Sequence, residues 1–448
     1  MVTIKSKIVL IVLCIVDVIW LLLAQNLGNK ILLLPCLACF LALIVWTALQ
    51  GMVLPVLLLF LPFSTLLKIS AGTISFYTVA LLLVFLIYAV KGIKNISIKH
   101  MVPGLGLLAM VLVVKTLYGE SMDNSFLLFF LLLLLAPFIK RELGEKYDLF
   151  YVTMCFAVGI AVAAITSRFL MGETIRQYVK IHEYSGLVRY SGYYGDPNFY
   201  SAHITAALGG VLILLLGERK KLKIFLLIFT ATVLVYCGAL SVSKSFFLVT
   251  ISMTLIWVLA FMFQKNKITT KITIVLIMLV GAIALLASTV FSEQIGMLLG
   301  RFTQDNNISD FTTKRVLWWE SYITASISDW KLFLFGRGLS NVLVNDRASH
   351  NTIIQCMYQF GILGCTLLIM WAIYFIRTLL EGTRIKKKHF VHIVIILVGG
   401  LVPWLGVDIL QFDEFFLIPM YICIGFMYLA QQDEEMLPYE SADTVEQK

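Results

Sequence analysis

Two polar stretches, residues 171–198 and 292–349, hold most of the side chains suited to chemistry in a chain that is otherwise nearly all apolar. Around the first stretch lie Arg168, Arg176, Lys180, His182 and Arg189, followed by Asp196, Pro197 and Asn198. An acidic residue before proline has the form of a helix start, with Asp196 as N-cap and Pro197 in the first helical position. The unpaired N–H groups and partial positive charge of a helix N-terminus attract anions, and Arg189 precedes this one closely. Capping alone would also explain Asp196. Tyr190, Tyr193 and Tyr194 either anchor the membrane interface or offer faces on which sugar rings stack.

In the second stretch, segment 312–327 begins with Thr312 and Thr313 and places Val316, Trp319, Ile323 and Ile327 at helical spacing. That pattern predicts an interfacial amphipathic helix with Arg315 in its first turn. Gly336 and Gly338 mark a tight turn, and Ser349 is the expected N-cap of the next helix. His350 and Asn351 then fall in its first turn, at the depth of Asp196 to Asn198. Histidine takes a proton near neutrality, so His350 is a candidate general base, the plain alternative being a solvated ring. Arg301, Arg337 and Arg347 read equally well as surface charges. A third fragment, SVSKS (241–245), adds the cation Lys244 and a capping Ser243, or is an ordinary polar turn.

The elements that must carry these residues are apolar helices. Hydrophobic residues make up 60% of the chain and charged ones 14%, with mean hydropathy +0.93, which excludes a water-soluble globule. Segments long enough to cross a bilayer recur at 8–25, 31–49, 52–67, 74–90, 102–118, 125–139, 149–170, 199–216, 222–240, 245–263, 272–291, 350–376, 390–407 and 415–431, about 14 spans. The third is flanked by Pro55 and Pro62. The expected fold is therefore all-α, a polytopic integral membrane protein with one domain over 1–431 and an acidic, disordered cytoplasmic tail over 432–448. The first span is read as retained rather than as a signal peptide.

Lys and Arg concentrate in alternate loops (Lys5 and Lys7, 91–99, 140–146, 217–223, 264–271, 377–388). The other set (28–30, 119–124, both long stretches, 408–414) is balanced or acidic. The positive-inside rule then puts both termini in the cytoplasm and both long loops outside. The formal charge of +9 is largely this bias and does not argue for nucleic acid. The cysteines lie within or at the edges of spans; Cys36 and Cys39 have metal-like spacing but no second pair, so packing is the expected role. No long internal repeat supports an inverted-repeat transporter.

Four fragments, RYSGYYGDPNFYS (189–201), SVSKSFFL (241–248), TKRVLWWE (313–320) leading to LFGRG (334–338), and ASHNTIIQCMYQFGILG (348–364), resemble in order the O-antigen ligase/polymerase family, the Wzy-like membrane glycosyltransferases. The resemblance covers roughly residues 185–375. It implies a GT-C-like helical fold acting on the outer face of the cell membrane, with undecaprenyl-diphosphate-linked oligosaccharide as donor and acceptor. It also implies an inverting transfer with no metal, nucleotide sugar or other cofactor. Arg189 and Arg315 would bind the diphosphate, Arg301 being the rival for the second place, and His350 would be the base. Asp196, Asn198, Lys244, Asn351, Tyr193 and Tyr194 complete the expected substrate-binding set. Membrane lipid, a chain-length regulator and a flippase are the further expected partners. The outer loops hold no DxD-like carboxylate pair for a divalent ion. Polymerisation of repeat units is the leading expectation. A ligase moving finished glycan to another acceptor differs only in the acceptor. A transporter of lipid-linked oligosaccharide would place charges at mid-membrane, where Asp17 and Lys115 are the candidates, with Lys115 near enough to the outer end to snorkel.

Overall fold

The computed structural model describes residues 4–70, 73–92, 98–120, 126–134, 148–170, 172–179, 182–184, 187–218, 220–263, 315–340, 342–380, 386, 389–408 and 417–434, with scattered positions between 272 and 300. The described residues are those of an α-helical membrane protein with one short hairpin. Seven of its described helices are long and apolar enough to cross a membrane: Val9–Asn26, Lys30–Gln50, Leu149–Phe169, Pro197–Gly217, Lys221–Ala239, Lys244–Phe263 and Thr352–Thr378. Shorter apolar helices occupy the expected spans 52–67, 74–90, 102–118, 390–407 and 415–431. The expected span 125–139 is described only over 126–134, and 272–291 lies outside the described residues except at positions 272 and 276.

In chain order the helices are α1 (Ile4–Asn26), α2 (Lys30–Gln50), α3 (Val53–Phe60), α4 (Phe76–Gly92), α5 (Ile98–Leu117), α6 (126–134), α7 (Leu149–Phe169) and α8 (Glu173–Arg176). A hairpin of β1 (His182–Tyr184) and β2 (Leu187–Arg189) follows, pairing His182 with Arg189. Then come α9 (Pro197–Gly217), α10 (Lys221–Ala239), α11 (Lys244–Phe263), α12 (Arg315–Ser328), α13 (Trp330–Phe335), α14 (Thr352–Leu380), α15 (Phe390–Leu401) and α16 (Leu417–Glu434).

Three expected spans are broken, each for a local reason. Over 52–67, the eight residues of α3 are all buried and give way to a 3-10 turn at Leu61–Phe63. Pro62 has no N–H and its ring obstructs the preceding turn, so the α-helix ends there. Non-helical backbone at this depth is tolerated because protein surrounds it, and its carbonyls find donors: Gln25 Nε2 reaches the carbonyl oxygens of Leu66 and Lys68. Over 390–407, α15 stops at Leu401 and Pro403 opens a 3-10 turn, Val402–Gly406. The third break is inside α14, where Gly361 has φ 58° and ψ −172°.

That last break seats the LFGRG turn. The freed carbonyls of Tyr358 and Gln359 accept from Arg337 N (2.9 Å) and Gly338 N (2.8 Å), so the turn after α13 pairs with α14 as an extended strand would. A Cβ at Gly361 would stand 2.5 Å from the carbonyl carbon of Leu334, and one at Gly336 would stand 2.4 Å from that of Gln359. The Gln359 amide then clasps Ser340, accepting from its N and donating to its O at 2.8 Å each.

Contacts sort the connections onto two ends of the bundle. Lys91 Nζ reaches Leu49 O, joining the ends of α4 and α2. At the opposite end Gly172 N reaches Asn26 Oδ1, Thr65 Oγ1 reaches Tyr193 O, and Lys115 Nζ reaches Leu339 O. The hydrogen-bonded residues of both long polar stretches, Gly172 and Tyr193 of the first and Leu339 of the second, lie at this second, loop-bearing end. Lys115 does not snorkel to water: it is 1% exposed, beneath the turn at 336–340, and 3.6 Å from Glu120. At the far end of the chain, α16 runs to Glu434, into the expected disordered tail, whose remainder lies outside the described residues.

Candidate active site at the loop end of the bundle

Arg189 closes the hairpin and turns its guanidinium onto a polar nest of buried Ser241 and half-buried Asn198. Its Nε donates to Ser241 O at 2.9 Å and its Nη2 to Asn198 Oδ1 at 3.1 Å. Ser243, which the sequence suggested as a helix cap, donates its hydroxyl to the same Asn198 oxygen at 3.1 Å. Tyr190 N reaches Leu240 O at 3.0 Å, so the first long stretch and the 241–245 turn are stitched together. Lys244 opens α11, where its charge adds to the positive end of the helix dipole.

Asp196 caps α9 as expected, accepting from Asn198 N at 2.6 Å and Phe199 N at 3.2 Å. The cap changes one expectation. Those N–H groups, which an anion would otherwise use, are already engaged by a carboxylate, so the positive field here comes from Arg189 and Lys244 rather than from the helix end. Tyr193 and Tyr194 are also corrected. Tyr193 is fully buried, donating to Thr166 Oγ1 at 3.2 Å with its ring beside Phe63, and Tyr194 packs against His203 with centroids 4.6 Å apart. Neither offers a sugar an open face.

The second stretch is organised by Asp408, the first residue of the acidic loop expected over 408–414. Its carboxylate accepts from Ser349 Oγ (2.6 Å), His350 N (2.9 Å) and Asn351 N (2.7 Å). Ser349 is thus not the cap of α14. Asn351 is, with its Oδ1 accepting from Ile353 N at 3.0 Å and Ile354 N at 3.3 Å. His350 therefore precedes the helix, in the left-handed region at φ 50°. Buried and used for capping, Asn351 sets the geometry of the turn. An acidic residue just past an apolar run was the available signal for Asp408.

Helix α12 begins at Arg315, inside the expected 312–327. Thr312 and Thr313 lie outside the described residues, as does Arg301. Ile323 and Ile327 of the expected apolar face are exposed, open to the membrane interface, while Tyr322 and Ser326 on the other side are buried against the protein. The buried side grips the His350 loop, Trp319 Nε1 donating to Ser349 O at 2.9 Å and Tyr322 OH to Arg347 O at 2.8 Å. Trp318 lies beside His350, ring centroids 5.5 Å apart.

Arg315 reaches the 3-10 turn Val402–Gly406, which packs on α9, α11 and α14. A Cβ on Gly406 would stand 3.0 Å from Arg315 Nη1. Burial lowers the His350 pKa below its ordinary 6.5, and the Arg315 guanidinium lowers it further, while Asp408 and Asp196 oppose both. That Asp196 is felt at His350 joins the two long stretches in one electrostatic environment. The loop end thus carries an imidazole with a lowered pKa, two half-buried guanidinium groups and a lysine, groups suited to taking a proton from a hydroxyl and holding a departing polyanion. Comparison with protein-family models and with curated proteins finds no match to this chain.

Proposed function

We propose that the chain is a membrane glycosyltransferase, a Wzy-like polymerase that joins undecaprenyl-diphosphate-linked repeat units into a capsular or O-antigen-type polysaccharide. The observation that carries this reading is His350, half-buried beside Arg315 and shifted toward the neutral form a general base needs. In the reaction His350 takes the proton of the acceptor hydroxyl as that oxygen attacks the anomeric carbon of the donor. The bond from the anomeric carbon to the diphosphate oxygen breaks on the opposite face, its electron pair leaves with undecaprenyl diphosphate, and the configuration inverts. Arg189, Arg315 and Lys244 stabilise the charge on the leaving group, the kind of preorganised electrostatic contribution that is often the largest in catalysis. Asn198 and Ser241 orient Arg189, and Asp408 and Asn351 hold the His350 turn. In this reading the protein has about 14 spans in a GT-C-like arrangement, cytoplasmic termini and its loop end facing outward from the cell membrane.

A ligase would use the same groups on a different acceptor. The transporter reading loses one of its two mid-membrane charges, because Lys115 is engaged at the loop end with Leu339 and Glu120. Asp17 remains, buried in α1 with the Cys36 thiol 3.5 Å away.

The test is purified protein incubated with a lipid-diphosphate-linked repeat unit. A product ladder with release of lipid diphosphate is expected. A single transfer to an added acceptor would replace polymerase by ligase, and no transfer under any acceptor would overturn the enzyme reading.

A further inference from the structure

Three aromatic residues of α12 lie against the His350 loop, and they are not used alike. Trp319 and Tyr322 place their polar atoms on the carbonyls of Ser349 and Arg347, which makes them structural ties. Trp318 is different. It is half-buried, and among the described residues its indole N–H meets no acceptor. It stands one helical turn after Arg315, so both side chains leave the same face of the helix. Its ring is tilted by 44° to the imidazole of His350 at 5.5 Å.

Arg347 completes the surroundings of this ring. Its exposed guanidinium stands 5.7 Å from the Trp318 centroid. The residue closes a tight turn bridged from Val344, with Asn345 and Asp346 both in the left-handed region (φ 53° and 55°), and Tyr322 holds its carbonyl. A half-buried indole with an N–H that meets no acceptor among the described residues, and with an exposed guanidinium over its ring, is suited to a pyranose ring. The apolar C–H face stacks on the aromatic system while hydroxyls find the N–H and the arginine.

We propose that Trp318 and Arg347 form a sugar-ring subsite that holds the acceptor saccharide with its reacting hydroxyl toward His350. The subsite rests on the glycosyltransferase reading above and takes over the stacking role that buried Tyr193 and Tyr194 cannot fill. It also gives the two halves of the site separate tasks: Arg189 and Lys244 face the donor diphosphate, and Trp318 faces the acceptor sugar.

The experiment uses the full-length protein in detergent, lipid-diphosphate-linked repeat unit as donor, and the same repeat unit freed from its lipid by mild acid as acceptor. Trp318→Leu keeps apolar bulk and removes the aromatic face; Trp318→Phe keeps a smaller face; Arg347→Gln removes only the exposed charge over the ring. The acceptor concentration for half-maximal transfer is expected to rise about tenfold in Trp318→Leu, less in Trp318→Phe, and severalfold in Arg347→Gln. Half-saturation for the donor and the thermal midpoint stay at wild-type values. Unchanged acceptor half-saturation in Trp318→Leu and Arg347→Gln overturns the subsite and leaves the enzyme standing. So does a parallel rise for donor and acceptor, the mark of an interfacial anchor or a structural ring. Absence of transfer by the wild-type protein overturns both.

Discussion

The carboxylate of Asp408 accepts from the backbone N–H of His350 at 2.9 Å while His350 holds a φ of 50°. A non-glycine residue in that region costs about 1–3 kcal/mol and persists only where its surroundings over-determine it. Here they do: one buried carboxylate takes donors from three consecutive residues, and Trp319 fixes the Ser349 carbonyl from the other side. The strain is thus held at the residue assigned the proton transfer.

Asp408→Ala should leave those donors without their acceptor, at about 1–3 kcal/mol for each buried group left unsatisfied. Transfer is expected to fall by about a hundredfold or more, as displacement of a reacting group can do. Loss of product from a protein that still inserts and elutes as a single species would agree. Wild-type turnover in Asp408→Ala would mean that the His350 turn is set by other contacts.

The pH profile tests the electrostatics around His350. Its neutral form is the active one and its pKa is lowered, so activity should persist below pH 6.5 and be lost only as pH falls through the depressed value. Arg315→Gln removes a group that lowers the pKa, which moves the acid limb to higher pH and also reduces the maximal rate. Asp196→Asn removes a group that raises it, which moves the limb lower. Rates measured from pH 4.5 to 8, about the range over which imidazole titrates, decide the sign of each shift.

Arg189→Lys keeps the charge and loses the forked geometry that spans Ser241 and Asn198. Donor half-saturation should rise about tenfold or more, with acceptor half-saturation unchanged. Asn198→Ala should produce a smaller change of the same kind, since Arg189 keeps its bond to Ser241. Equal effects on donor and acceptor would argue that Arg189 supports the fold instead.

Gly361→Ala and Gly336→Ala test the seat of the LFGRG turn. Each places a Cβ against backbone at 2.5 Å or less and imposes a strained φ, so a loss of at least about 1–3 kcal/mol is expected, read as a lower thermal midpoint in detergent. A midpoint within error of wild type for both would mean that α13 is free to move off α14.

Composition and hydropathy alone determined the helical membrane class, because apolar segments of bilayer length have few alternatives in lipid. Short-range chemistry was legible too: Asp196 before Pro197 capped α9, and Arg315 stood at the start of α12. Tertiary structure decided the rest. Whether Tyr193 and Tyr194 face solvent or core depends on α7 and the turn after α3, which no local pattern encodes. Asp408 lies 58 residues from the His350 N–H it accepts, and the 3-10 turn before it exists because Pro403 interrupts a helix that hydropathy reads as continuous. Hydropathy measures how a segment partitions into lipid; which side chains then share a site depends on where helices break and what packs into the breaks.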